Sequence, residues 1–202
     1  MQNPISRLGV LGGTFDPLHL GHLVAAAEAL DRFGLDRVLF VPTGQPWQKE
    51  RYSDGEDRYM MCVLGASSHP SFAVSRMELD RKGPTYTADT MEVLKDFHGR
   101  DVELFFIAGA DAVLKLGTWI SLDRLAKLAD VVAVSRPGFD LDGLDIQEEW
   151  PTVHTMPMPE IGISATDLRR RVREGRPIDY LVPAEVGSYV REQGLYIGGS
   201  DE

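Results

Sequence analysis

The chain has 202 residues, 43% of them hydrophobic and 26% charged, which suits one globular domain that buries most of its apolar surface in one core and excludes a fibrous repeat or a disordered tract. A formal charge of -10 argues against nonspecific binding to nucleic-acid polymers or anionic membranes, so any anionic ligand is expected to be small and held locally. Cys62 is the single cysteine, which rules out an intramolecular disulfide and a four-cysteine zinc site, and the amino terminus carries neither a signal-peptide pattern nor the ~18 apolar residues of a membrane helix, so a cytoplasmic protein is expected.

Apolar runs alternate with helix-like periodic segments, the pattern of a doubly wound parallel α/β sheet joined by crossover helices. The spacing predicts strands at RLGVLG (7–12), RVLFVPT (37–43), FAVSRM (72–77), VELFFIAG (102–109) and DVVAVSR (130–136), with helices over 20–33, 56–68, 86–97 and 121–129. In the first helix Leu20, Leu23, Val24, Ala27 and Leu30 form the expected core-facing stripe, and His22 then falls roughly 150° from its centre, away from the core. The acidic, aperiodic PGFDLDGLDIQEEW (137–150) reads as a surface loop. A short strand, TVHTMP (152–157), and two short helices in ISATDLRRRVREG and PAEVGSYVREQG follow it. With no repeat or low-complexity linker, a single domain over 1–202 is expected, helical in its C-terminal portion at about 160–197.

GGTFDPLHLGH (12–22) leaves the first strand where doubly wound sheets bind ligands. Gly12 and Gly13 let backbone approach a ligand closely, Thr14 offers a hydroxyl, and the helix entered after Pro17 is expected to point N–H groups at an anion. The run is neither G-x-G-x-x-G nor G-x-x-x-x-G-K-[ST]. Zinc on His19 and His22 would need a third protein ligand, and no acidic residue lies one turn further on; a solvated pair is a second reading. Phosphate is favoured, because imidazole donors at a helix start strengthen as charge builds on a reacting phosphorus.

Further sites follow along the chain. Lys49, on the Pro/Gly-rich PTGQPWQKE (42–50), is either a surface lysine or a phosphate ligand. In RKGPTYTADT (81–90), Thr85, Tyr86 and Thr87 stand at a helix start, where capping is the simplest role. Asp111 ends the fourth strand and could meet a sugar hydroxyl or cap the next helix, while Trp119 is either core or an aromatic that stacks on a flat ring. In GISATDLRRRVREG (162–175) Ser164 is a candidate N-cap with Asp167 at the capping-box position, and Arg169 lies about 100° from the inward Leu168, so it either faces solvent or lines a cleft.

Taken in order, these pieces resemble the bacterial nicotinate-nucleotide adenylyltransferases of the nucleotidylyltransferase superfamily, which carries an (H/T)-x-G-H signature. Residues 12–22 are similar to its G-G-T-F-D-P-x-H-x-G-H segment, ISATDLR (163–169) to its I-S-[SA]-T-x-[IL]-R segment, and the likeness runs from about residue 7 to 196. The resemblance implies a Rossmann-like sheet, and the reaction of nicotinate mononucleotide with ATP to give deamido-NAD and pyrophosphate in NAD biosynthesis. It also implies Mg2+ on the ATP phosphates and no metal site of the protein's own. His19 and His22 would contact the phosphates; Gly12, Gly13, Thr14 and Phe15 would hold the nucleotide, with Asp111 on a ribose. Ser164, Thr166 and Arg169 would grip the β and γ phosphates, with Lys49 reaching in. Thr85 and Tyr86 would offer backbone N–H groups to the nicotinate carboxylate, and Trp119 would stack on the pyridine. The partners implied are ATP and nicotinate mononucleotide, without nucleic acid or membrane, and self-association into a homo-oligomer is left open.

Rivals exist within the superfamily and outside catalysis. Phosphopantetheine adenylyltransferases resemble residues 13–22 but have threonine where His19 stands; nicotinamide-preferring enzymes are nearer, and GPTYTADT tilts the choice to the acid. A nucleotide-binding regulatory module is the third reading, against which His19, His22 and Arg169 speak together. PWQK departs from the many bacterial members with a histidine ahead of the lysine, which leaves Lys49 less defined than the two histidines.

Overall fold

The computed structural model describes residues 5–44, 53–135, 150–159 and 161–198. Lys49 and residues 137–149 of the stretch read as a surface loop lie outside them. Among the described residues, strands β1 (Arg7–Gly13), β2 (Arg37–Pro42), β3 (Phe72–Val74), β4 (Glu103–Gly109), β5 (Asp130–Ser135) and β6 (Val153–Pro157) form one all-parallel sheet in the order β3-β2-β1-β4-β5-β6. Such a sheet is buried on both faces, which is why its strands read as near-continuous apolar runs. β1 sits at its centre, paired with β2 through Leu8–Arg37 to Gly13–Pro42 and with β4 through Arg7–Glu103 to Leu11–Ile107.

Side chains alternate along each strand, so the sheet feeds two cores. Leu11, Phe40, Ile107, Val132 and Met156 point to one face, covered by α1 (Leu20–Arg32), α2 (Gly55–Ala66), α6 (Ala165–Arg173) and α7 (Ala184–Glu192). Leu8, Val10, Leu104, Val131 and Ala133 point to the other, covered by α3 (Thr87–His98) and by the short α4 (Ala110–Val113) and α5 (Leu122–Leu125). Leu168 of α6 and Val186 and Val190 of α7 share the first core with the sheet, so the helical C-terminal portion is packed into the α/β fold.

Three expectations need correction. The buried face of α1 is Ala25, Ala26 and Ala29, while Ala27 is exposed and Leu23 and Leu30 only flank the core. Small side chains let the helix lie close on the sheet, and His22, one turn before Ala25 and Ala26, therefore lies on the sheet side of α1 rather than opposite it. The helix expected over 121–129 shrinks to α5, whose N-cap is Ser121 with φ of 60°; beyond Leu125 the chain runs in turns to β5, while α4 and a 3-10 turn over Leu116–Thr118 precede α5. β3 stops at Val74 because it is an edge strand paired with β2 alone, and Met77 N–H turns back to the Ser75 hydroxyl at 3.3 Å.

Candidate active site

A cavity of about 440 Å³ opens at the C-terminal ends of β1 and β4, the point where the strand order reverses direction. Of the residues singled out from sequence, Gly12, Gly13, Thr14, His22, Thr85, Tyr86, Asp111 and Trp119 share its wall. Two close approaches shape it. A Cβ on Gly12 would stand 2.8 Å from the Phe106 ring and displace that side chain, and one on Gly44, just beyond β2, would stand 2.1 Å from the Glu78 carbonyl oxygen, so no larger residue fits at Gly44 without moving backbone.

His19 is the N-cap of α1, 2% exposed, and His22 sits one turn on, at the cavity. The imidazoles stack with centroids 3.7 Å apart, and the buried Phe15 ring meets His22 edge-on at 5.0 Å. The backbone N–H of His19 donates to His22 Nδ1 at 3.2 Å, which makes Nδ1 an acceptor and puts the proton of the neutral ring on Nε2. His22 is thereby prepared as a donor. The helix start contributes less than expected: the N–H of Leu20 is taken by the Leu181 carbonyl at 3.1 Å and that of His22 by the His19 carbonyl at 2.9 Å. Anion attraction here rests mainly on side chains and on the turn after β1.

The second motif reaches the first through an arginine. Arg169, half-buried on α6, donates from Nη1 to the Asp16 carbonyl at 2.8 Å, bridging 153 residues, and from Nη2 to the Thr166 hydroxyl at 3.3 Å. Ser164 caps α6 by accepting the Asp167 N–H at 3.2 Å. The Asp167 carboxylate does not close a capping box; it accepts from Arg171 at 2.8 Å and from Arg170, and these two pairings hold it below the usual carboxylate range. Two of the arginine cluster are thus engaged along their own helix, and Arg169 is the one turned to the β1 loop. Ser164 and Thr166 are exposed, outside the cavity wall.

Opposite, Tyr86 is the N-cap of α3 and no side chain caps that helix start, so capping does not account for the Thr85–Tyr86–Thr87 run. The buried Thr85 lies beside the cavity, with its hydroxyl toward the Glu78 carboxylate. Half-buried Trp119 packs edge-on against Phe106, with centroids 5.5 Å apart and planes at 80°, which leaves an aromatic ring on the wall.

Sequence reasoning missed two polar residues here. Glu78 lines the cavity and accepts the Thr90 hydroxyl at 2.7 Å; burial pushes its carboxyl above the ordinary value, with the Thr90 hydrogen bond opposing. Arg58, fully buried in α2, donates to the carbonyls of Ser53 at 3.1 Å, Thr14 at 3.1 Å, Thr43 at 2.8 Å and Gly44 at 3.4 Å, tying the loops after β1 and β2 together. Its signal was available: position 58 lies on the same helical stripe as Met61, Cys62 and Gly65. Among the described residues no group of three or more His, Cys, Asp or Glu could hold a metal ion, and no helix is long and apolar enough to cross a membrane.

Known proteins resemble this chain in sequence and fold. Residues 10–171 match the cytidylyltransferase-like family. A protein of Corynebacterium kroppenstedtii named "Probable nicotinate-nucleotide adenylyltransferase" is 50% identical over 195 residues, covering 95% of this chain and 91% of its own. One of the same name from Salinispora arenicola is 51% identical over 188 residues, covering 92% and 99%. The fold is also that of the Plasmodium falciparum nicotinic acid mononucleotide adenylyltransferase solved with NaAD, with a TM-score of 0.80 at 17% identity over 95% of this chain and 97% of that one.

Proposed function

Because the chain belongs to the cytidylyltransferase-like family, and within it to the nicotinate-nucleotide adenylyltransferases, we propose that it transfers the adenylyl group of ATP to nicotinate mononucleotide. A phosphate oxygen of the mononucleotide attacks the α-phosphorus, the bond from that phosphorus to the β-phosphate bridge breaks, and deamido-NAD and pyrophosphate form. No protein group is adenylylated on the way, so rate enhancement comes from alignment and charge neutralisation. The observation that carries this reading is the 2.8 Å hydrogen bond from Arg169 to the Asp16 carbonyl, which ties the second motif to the glycine-turn motif whose Gly12, Gly13, Thr14 and His22 line the cavity.

In this reading ATP lies along the turn at Gly12, Gly13 and Thr14, with Phe15 behind it and Asp111 at its ribose. His22 donates from Nε2 to the reacting phosphates and His19 supports it; Arg169, with Ser164 and Thr166, takes the β and γ phosphates, and Lys49 is assigned to them from the resemblance alone. Magnesium enters with ATP as part of the substrate. The mononucleotide lies opposite, its pyridine on Trp119 and its carboxylate at the backbone of Thr85 and Tyr86, a setting supported by the uncapped start of α3. Soluble nucleotide substrates fit a cytoplasmic enzyme of NAD biosynthesis.

Pyrophosphate release from ATP and magnesium, measured in parallel with nicotinate mononucleotide, its amide and phosphopantetheine, tests the proposal. The acid is expected to give the highest kcat/KM. Absence of release with all three would overturn the function, and equal turnover of the amide would overturn the pyridine-site assignment.

A further inference from the structure

Asp16 does more than turn the chain into α1. It is 2% exposed, and its carboxylate accepts from two remote segments: the Tyr196 hydroxyl at 2.7 Å on Oδ1 and the Ser53 N–H at 3.1 Å on Oδ2. Its carbonyl oxygen is the acceptor that fixes Arg169, and His19 follows three residues later. Tyr196 belongs to the turn after α7, where it has a φ of 67°, a conformation a non-glycine residue keeps only when its surroundings hold it. Its ring packs on the first core, and its hydroxyl also lies 3.8 Å from Met61 Sδ.

We propose that Tyr196 is a positioning residue for adenylyl transfer, holding Asp16 so that the Asp16 carbonyl aims Arg169 and the following backbone aims the histidine pair at the ATP phosphates. The inference rests on the function proposed above. Burial and the adjacent Asp16 carboxylate keep the Tyr196 hydroxyl protonated far above its ordinary range, so it is a permanent donor. A buried carboxylate with two good donors is rigid, and rigidity of the arginine anchor matters because small displacements of a positioned charge weaken transition-state stabilisation. The Thr85–Trp119 side of the cavity makes no contact with this tether among the hydrogen bonds described, so the acid substrate is expected to be indifferent to it.

The test is a double-mutant cycle on the full chain with Tyr196→Phe and Arg169→Lys, read as kcat and both KM values, together with amide hydrogen exchange of the non-proline residues of 14–19 without substrate. Tyr196→Phe removes one oxygen atom and keeps the ring. Expected are a roughly tenfold lower kcat, a raised KM for ATP, a KM for nicotinate mononucleotide within twofold, faster exchange at residues 14–19, and a Tyr196→Phe effect that largely disappears in the Arg169→Lys background. Kinetic constants within twofold of wild type with only a lowered melting temperature would overturn the inference and leave Tyr196 a structural residue. Additive effects of the two substitutions would overturn it as well. Accelerated exchange in a protein whose wild type releases no pyrophosphate would reject the proposed function separately, and unchanged exchange would reject the tether itself.

Discussion

Replacing Arg58 by methionine keeps an unbranched side chain in the α2 stripe and removes every guanidinium donor. The carbonyls of Ser53, Thr14 and Thr43 lose bonds of 2.8 to 3.1 Å and that of Gly44 a longer one of 3.4 Å. Charge-assisted bonds contribute about 1.5–3 kcal/mol each, but they share one donor group and are not additive, and the substitution also removes the cost of burying a cation. A net loss of about 3–5 kcal/mol is expected, because several buried carbonyls are left unsatisfied at about 1–3 kcal/mol each and relief of the buried cation offsets part of that. For a chain of this size that is about 6–20 °C in Tm. Urea unfolding followed by circular dichroism measures the loss, with Arg58→Lys expected to fall between wild type and Arg58→Met because an ammonium reaches fewer of the carbonyls. The two loops it joins flank the cavity, so the KM for ATP should rise at temperatures well below the melt. A loss under ~1 kcal/mol with unchanged kinetics would refute the reasoning, since the carbonyls would then have other donors.

Removing the His22 imidazole as alanine should lower kcat by 10²–10³-fold, about 3–4 kcal/mol of barrier, as for loss of one transition-state donor; a raised KM with normal kcat would contradict its role. Glu78 makes a prediction about pH. Its carboxyl is raised in the folded chain, so the stability it contributes is fully present below the unfolded value near 4.5 and is lost as pH rises through the folded value. Glu78→Gln cannot ionise, and its melting temperature relative to wild type should therefore climb as pH is raised from 4 and then level off. A difference that stays flat or falls with pH would show that Glu78 is not held above its ordinary range.

Element types were legible in the sequence because a sheet buried on both faces writes uninterrupted apolar runs, and the crossover helices write their own period between them. The reading failed where size outweighed hydrophobicity: Ala25, Ala26 and Ala29 carry α1 onto the sheet, whereas counting leucines turned His22 away from it. It failed again over 121–129, where the expected helix keeps only Leu122–Leu125 behind the left-handed Ser121, and it gave no sign of the short α4 and the 3-10 turn that lead Trp119 to the cavity wall. The glycine turn, His22 and the Thr85–Trp119 side were visible as motifs because each is local. Neither Asp16 nor Tyr196 was singled out as a site residue, since their contact spans 180 positions and leaves no periodic trace. Arg58 lay on a readable stripe, but its partners are backbone carbonyls, which a sequence does not distinguish.

The strand order also fixes a timetable. β1 leaves the ribosome first yet occupies the centre of the sheet, and it stays half-paired until β4, whose first residue Glu103 meets Arg7 across 96 positions, has been made. Its outgoing loop must then wait for Arg169 and, later still, for Tyr196. A nascent chain already carrying the glycines and both histidines thus offers ATP no finished crevice, and nucleotide cannot template the early steps of folding. In the proposed function, stabilisation by ATP would begin only after Arg169 and Tyr196 have emerged, so translation pauses before that point would expose an apolar half-sheet that ATP cannot protect.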